Sequence, residues 1–420
     1  MKFQAPKGTE DILPADSARW RWLEQHFQRV CSLYGYGEIR TPVFEDTALF
    51  ERGIGEGTDI VHKEMYTFLD RGERSITLKP EGTAPAIRAY IEHSLGAPGV
   101  ITRLYYITPV YRYERPQKGR LREHHQCGVE LLGSSSPDAD AEVIDLTVRF
   151  YRAIGLGSLS VRLNSLGNDE CRAAYRSALL EFARPALLAL PAEFRARCEQ
   201  NPLRMLDAKD ETLREVMVSA PKIQDFLEPE SKAHFETLQK RLTTLRIPFE
   251  LDSRLVRGLD YYSKTVFEVQ TESLGAQNAL CGGGRYDALV ERVGGSPTPA
   301  VGVGLGIERA LMLLEANAAL PPDEKTTTAF LVALTDNRTA ICEQLQLLRD
   351  SGVAVESDPE FRSAKSQFRQ ADKSGAKFAV VIGDDELSTK IATIKELATG
   401  SEQKVPFEQV ASLLTRSGPQ

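Results

Sequence analysis

Val100-Ile101-Thr102-Arg103-Leu104-Tyr105-Tyr106-Ile107-Thr108-Pro109-Val110, then Tyr111-Arg112-Tyr113-Glu114-Arg115-Pro116-Gln117-Lys118-Gly119-Arg120-Leu121-Arg122, then Cys127-Gly128-Val129-Glu130-Leu131-Leu132 decide how this chain is read. The first and last runs are rich in β-branched, aromatic and aliphatic residues and read as strands. The middle run carries arginines and a lysine opposed only by Glu114, and Pro116 and Gly119 make it a loop. Two strands joined by a long charged loop form an antiparallel hairpin, and loops of this length are usually functional. A cationic loop can fold over a polyphosphate, where guanidinium groups make paired hydrogen bonds. Taken alone, the same run also reads as a solvated surface loop.

The rest of the chain narrows the setting. Its 420 residues are long enough for two or three domains, and 42% hydrophobic and 26% charged residues are ordinary for a globular protein that buries real cores. No stretch approaches the uncharged apolar length of a membrane span, and the start, Met1 to Lys7, lacks the apolar core of a signal peptide, so a cytoplasmic location is expected. The formal charge of −7 argues against a wholly basic nucleic-acid binder but leaves room for a local basic patch. Cys31, Cys127, Cys171, Cys198, Cys281 and Cys342 are too scattered for a zinc site or a disulfide framework.

Three regions follow the hairpin outward. Before it, Ser17 to Leu33 has apolar residues at helical spacing and ends at Gly35 and Gly37. After it, the sequence turns helical over about 167–246, which reads as an inserted module, and strand signals return at Pro248 to Leu251 and Thr265 to Thr271. A Pro-, Ala- and Thr-rich linker at 321–328 leads to 329–420, where strand and helix alternate as in a small α/β domain with a largely parallel sheet. Within 1–320, Gly302-Val303-Gly304-Leu305-Gly306-Ile307-Glu308-Arg309 is glycine-rich and runs into a helix. It matches a dinucleotide fingerprint only superficially, because no acidic-ended βαβ unit follows. Arg309 stands in the first turn of an apolar helix, where a cation opposes the helix dipole and calls for an anionic partner.

Together these segments resemble class II aminoacyl-tRNA synthetases. The stretch from Arg112 to Glu114 with its loop is similar to motif 2 of that class, Gly304 to Arg309 to motif 3, and Glu38-Ile39-Arg40-Thr41-Pro42 to motif 1, whose proline lies at the dimer interface. Leu255-Val256-Arg257-Gly258-Leu259-Asp260-Tyr261-Tyr262 and Gly283-Gly284-Arg285-Tyr286-Asp287 resemble the signatures of histidyl-tRNA synthetases, as do Pro6-Lys7-Gly8-Thr9-Glu10-Asp11 and Leu78-Lys79-Pro80-Glu81-Gly82-Thr83. Lys79 and Tyr113 depart from the commonest family residues, Arg and His, and keep hydrogen-bonding capacity.

The resemblance implies an α+β catalytic domain with a mainly antiparallel sheet, a helical insertion and a C-terminal α/β domain that binds the anticodon. It implies activation of L-histidine by ATP, with Mg²⁺ accompanying the phosphates, then transfer to tRNA(His), by a homodimer with no zinc and no organic cofactor. It assigns catalysis to Arg112 and Arg257, ATP contacts to Arg112, Glu114, Arg120 and Arg309, and the α-amino group of histidine to Glu81, Thr83 and Gln126. Glu130 and Tyr262 are assigned to the imidazole side, with Tyr261, Arg112 and Arg257 also among the histidine-binding residues. On the residues alone, Glu81 also reads as a helix-start carboxylate and one of the two tyrosines as core. Glu130, set between Val129 and Leu131, is costly to bury without a partner. His124 and His125 have no evident nucleophile beside them and are read as structural. Arg362, Lys365, Arg369 and Lys373 recur at steps of three or four and form a candidate tRNA-facing helix face. A histidine-binding regulatory subunit of ATP phosphoribosyltransferase is the alternative; it typically lacks the C-terminal domain expected here.

Overall fold

The computed structural model describes residues 3–55, 58–97, 99–116, 120–207, 210–271, 279–321 and 327–416. Gln117 to Gly119 of the charged loop and 322–326 of the expected linker lie outside them. The chain divides into two compact units, Met1–Pro321 and Pro322–Gln420.

In the first unit, α1 (Pro14–Leu33) starts at a proline in its first turn and buries Leu23, Phe27, Val30 and Cys31 on one stripe. Then come β1 (Gly37–Glu38), β2 (Phe44–Asp46), α2 (Thr47–Ile54), β3 (Tyr66–Leu69), β4 (Ser75–Leu78) and α3 (Thr83–Glu92). The hairpin strands are β5 (Thr102–Tyr111) and β6 (Glu123–Leu132), paired antiparallel in continuous register from Thr102 opposite Leu132 to Tyr111 opposite Glu123. They are followed by α4 (Pro137–Ala153), β7 (Leu159–Ser165) and the helical stretch α5 (Asp169–Leu188), α6 (Ala192–Gln200), α7 (Glu211–Met217) and α8 (Pro229–Thr244). The unit closes with β8 (Phe249–Leu251), β9 (Ser263–Thr271), β10 (Ala279–Arg285), α9 (Leu289–Arg292), β11 (Ala300–Gly306) and α10 (Ile307–Ala316).

The 8-stranded sheet runs β1-β5-β6-β11-β10-β9-β7-β8. Every interior pairing is antiparallel, and only the edge pairs β1/β5 and β7/β8 are parallel. Because side chains alternate along a strand, the register sorts this sheet into two unlike faces. Tyr105, Cys127, Val129, Leu131, Val301, Val303, Cys281, Phe267 and Val161 share the apolar one, packed under α1, α4, α8 and α10. A fully buried Leu or Phe there contributes about 1.5–3 kcal/mol. Although α8 ends the helical stretch, its Phe235, Leu238 and Leu242 belong to this core; Tyr175, Leu179 and Leu213 of α5 and α7 join a second core with Tyr261, Tyr262 and Val266.

The second unit holds β12 (Ala329–Leu334), α11 (Arg338–Asp350), β13 (Val355–Ser357), α12 (Ala364–Ser374), β14 (Phe378–Gly383), α13 (Asp384–Thr389), β15 (Ile391–Glu396), β16 (Glu402–Pro406) and α14 (Phe407–Arg416). Its sheet, ordered β13-β12-β14-β15-β16, is mixed rather than largely parallel. The β13/β12/β14 half is parallel, as alternating strands and helices require, but β14, β15 and β16 pair antiparallel. The sequence reading missed these last two strands, which carry charges on the exposed side. Among the cysteines, only Cys342, on α11, is exposed. No described helix is long and apolar enough to cross a membrane.

Candidate active site

The second face of the large sheet is floored with glycine. Gly302, Gly304 and Gly306 of β11 lie opposite Glu130, Gly128 and Gln126 of β6, and Gly282 and Gly284 of β10 lie opposite Gly304 and Gly302. A Cβ on Gly302 would overlap the carboxylate of Glu130, one on Gly304 the amide of Gln126, and one on Gly282 the guanidinium of Arg257. The glycines therefore leave room for large polar side chains lying flat on the sheet. The glycine pattern that matches a dinucleotide fingerprint only superficially forms part of this floor.

Over it lies a cleft of about 720 Å³ lined by Arg112, Glu114, Arg120, Gln126, Arg257, Glu268 and Arg309, among others. Arg112 directly follows β5, and its Nε donates to the carbonyl of Pro80 at 2.8 Å, which fixes the side chain. Glu114 lies 3.9 Å from Arg112 and 3.6 Å from Arg120. Arg257 is ion-paired with Glu268, a residue the sequence reading did not single out, and its buried Nε finds no hydrogen-bond partner. Arg309 lines the cleft from the first turn of α10. Its Nη1 donates to the carbonyl of Ala279 at 2.5 Å, and burial, reinforced by nearby Arg120, lowers its pKa. A cluster of guanidinium groups with an orphaned donor and mutual repulsion is built to receive a polyanion.

The segment carrying Arg257 has no regular structure and is held at three points. Asn164 of β7 donates to the carbonyl of Leu255 at 2.9 Å, Asp260 N–H donates to Ile54 at 3.1 Å, and Arg172 of α5 donates to the carbonyl of Tyr262. The helical stretch thus braces the segment.

Behind the cleft lies a buried polar cluster. Glu130 is completely buried, and its carboxyl accepts from Tyr106 Oη at 3.0 Å and from Tyr286 Oη. Burial, opposed by the tyrosine hydroxyls and reinforced by Glu81, pushes its pKa up to about 8. Tyr106 is the partner sequence reasoning missed; its ring fits only because Gly82 and Gly128 lack side chains. Both Tyr261 and Tyr262 are buried here, ring centroids 4.7 Å apart. Glu81 is the helix-start carboxylate: it accepts from the N–H groups of Thr83 at 2.8 Å and Ala84 at 2.7 Å, and burial raises its pKa. Gln126 accepts from Gly82 N–H at 2.9 Å, and Thr83 Oγ1 lies 3.5 Å from Tyr106 Oη. Lys79 is buried beneath and donates to Thr41, tying the Glu38-to-Pro42 segment to the site.

His125 binds Glu308 through its N–H at 2.8 Å and its ring at 3.0 Å. His124 lines the cleft, and burial followed by the charge of Arg112 lowers its pKa to about 3, so it is neutral. In the second unit, α12 presents Lys365, Arg369 and Lys373 on an exposed face, while Gln367 and Ala371 are buried behind it. Arg362 is not on that face. It precedes the helix and is bound by Asp358 at 2.9 and 3.0 Å.

An antiparallel sheet with a cationic cleft on one face, a basic loop between its hairpin strands and an arginine in the first turn of the helix that closes the first unit define a class II aminoacyl-tRNA synthetase. A family model described as "Histidyl-tRNA synthetase" matches residues 8–311, and one described as "Anticodon binding domain" matches 328–417. The chain belongs to the histidyl-tRNA synthetase family, whose activity is aminoacyl-tRNA ligation. It is 49% identical over 411 residues to the histidine–tRNA ligase of Caldanaerobacter subterraneus subsp. tengcongensis, covering 98% of this chain and 99% of that protein. The histidine–tRNA ligase of Geobacillus thermodenitrificans is 47% identical over 420 residues, covering 99% and 98%. The structure is similar to apo S. aureus histidyl-tRNA synthetase, with TM-score 0.82, 37% identity and coverage of 98% and 100%. A Bacillus halodurans structure titled ATP phosphoribosyltransferase regulatory subunit/histidyl-tRNA synthetase is 24% identical over 91% of this chain and 99% of its own, with TM-score 0.65, and shares the fold alone.

Proposed function

We propose that the glycine-floored cleft activates histidine with ATP and then esterifies tRNA(His). A histidine carboxylate oxygen attacks the α-phosphorus of ATP, and pyrophosphate leaves. A hydroxyl of the terminal adenosine of tRNA then takes the histidyl group, and AMP leaves. Negative charge builds on the phosphoryl oxygens in the first step, so fixed cations lower its barrier. Arg112 bridges the carboxylate and the α-phosphate, Arg257 approaches the same phosphate, Arg309 holds the γ-phosphate, and Glu114 and Arg120 contact the nucleotide. Mg²⁺ enters as part of the substrate MgATP.

Histidine binds beside the buried cluster. Its ammonium is held by Glu81, Thr83 and Gln126. Glu130 keeps its proton at neutral pH and donates to the bare ring nitrogen of a neutral imidazole; Tyr262, packed against Tyr261, serves the other nitrogen. A site of buried polar groups rejects apolar analogues, because its partners would be left unpaired.

The second unit takes the tRNA, with Lys365, Arg369 and Lys373 against phosphates and Arg362 at the edge of that surface. A cytoplasmic homodimer is part of the same reading. In the sheet ordered β2-β4-β3, Phe44, Ile76, Leu78, Tyr66 and Phe68 share one face by register with Asp46 at its edge, and Phe44 and Phe68 are exposed. An apolar face next to Pro42 supports burial against a second copy. Sedimentation should give a dimer, and Phe44→Glu with Phe68→Glu a monomer.

The observation that carries the reading is the orphaned Nε of Arg257 among the other cleft guanidiniums, next to a buried Glu–Tyr cluster. The test is ATP–pyrophosphate exchange with each amino acid in turn. Exchange should depend on histidine alone, and Arg257→Ala should reduce it by about two orders of magnitude or more. A folded protein that binds histidine without exchange would assign the chain to the regulatory alternative.

A further inference from the structure

The motif Pro6 to Asp11 has no place in the cleft, yet it touches the basic loop. The carbonyl of Gly8 accepts from the N–H groups of Arg122 at 2.7 Å and Glu123 at 3.3 Å, where the loop returns to β6. On the outgoing side, Tyr113 N–H donates to the carbonyl of Glu64 at 2.7 Å. The two stems are then joined to each other. Arg112 N–H donates to Arg122 at 2.8 Å, Arg122 Nε donates to Glu114 at 3.2 Å, and the Arg122 guanidinium stacks 3.9 Å over the ring of Tyr113. The loop base is therefore clamped from both sides by carbonyls remote in sequence.

Gly8 is suited to this contact in two ways. Its φ is +88°, and a Cβ would lie 2.8 Å from Arg122 Cγ and 3.0 Å from Pro116 Cγ. The turn presenting the carbonyl is closed by Thr9, whose N–H and Oγ1 both donate to Pro6, at 3.0 and 2.8 Å. Residues 3–7 and 10–16 are exposed, whereas Gly8 and Thr9 are half-buried, so this contact is where the segment is anchored.

We propose that Pro6–Thr9 is a latch on the stem of the ATP loop and that Gly8 is a positioning residue for ATP. Resting on the function proposed above, the latch fixes Arg122, two residues after Arg120 and bonded to the backbone of Arg112, and so sets where both cations face the nucleotide. Its own hydrogen bonds go to Arg122 and Glu123, and it touches none of the groups assigned to the ammonium or imidazole of histidine.

The test varies ATP and histidine separately in the exchange assay. Gly8→Ala should raise the KM for ATP about three- to tenfold while leaving the KM for histidine within about twofold. Thr9→Val, which loses only the turn's hydroxyl bond, should move the ATP value the same way by less. Gly35→Ala imposes the same strain at φ +75° with nothing within 4 Å and should leave both constants unchanged. An unchanged ATP constant in Gly8→Ala and Thr9→Val, an equal rise for both substrates, or the same effect from Gly35→Ala would overturn the latch. Absence of histidine-dependent exchange in the unmodified protein would instead overturn the activity itself, and the latch with it.

Discussion

Glu130 stands inside the protein with a proton that an ordinary carboxyl would have lost. Its pKa is moved from 4.5 to about 8, chiefly by burial. The folded state therefore holds a proton that the unfolded state releases. Its contribution to stability is full below 4.5 and is lost as the pH rises through about 8. Glu130→Gln imitates the neutral carboxyl and escapes that loss. Denaturation at pH 6 and pH 8 should show the variant gaining about 2 kcal/mol on the parent protein over that interval. A gap that stays constant with pH would mean that Glu130 is already ionised. The acid itself was legible in the sequence, because a carboxylate between Val129 and Leu131 demands a partner. The partners were not, since Tyr106 sits on the neighbouring strand and Tyr286 lies 156 residues away. One contact of Arg309 was hidden for a related reason. Its position in the helix was read correctly, but a strand end, at Ala279, supplies a carbonyl that no local pattern reveals.

At the level of strands and helices, β11 shows how glycine spacing becomes a surface. Residues two apart share a face, so Gly302, Gly304 and Gly306 remove three neighbouring side chains from one side while Val301, Val303 and Leu305 fill the other. Gly302→Ala should drive a methyl group into Glu130 and the carbonyl of Val129. The KM for histidine should rise about tenfold or more, with about 1–3 kcal/mol lost from stability. Gly157→Ala, which has nothing within 4 Å, should match the parent in both; equal behaviour of the two variants would show that the floor tolerates a side chain. The hairpin around this strand was readable because its apolar runs are long and its loop charged. The topology was not, since β11 inserts between β6 and β10 through register that only the assembled sheet displays. The structure also revealed α8 as part of the main core, although its sequence continues the helical run before it.

Across the entire chain, negative charge predominates, with 59 acidic against 52 basic residues, so contact with tRNA must be local. Lys365, Arg369 and Lys373 are one helical turn apart on the exposed side of α12. Reversing all three to glutamate should raise the KM for tRNA about tenfold or more and reduce the salt slope of binding by about 2 to 3, leaving histidine-dependent exchange untouched. Parallel losses in exchange and charging would mean that these residues act through the fold. The alternation of strand and helix announced this unit from sequence. Its mixed sheet did not show, because β15 and β16 follow a short helix and mimic the pattern of the parallel strands before them. Cys342 on α11 lends the molecule a practical asymmetry. With the other cysteines buried, a maleimide dye should couple once per folded chain, on α11 of the second unit. A single attachment point for a fluorescent label on the second unit is thus already written into the native chain, and it requires no engineering of the protein.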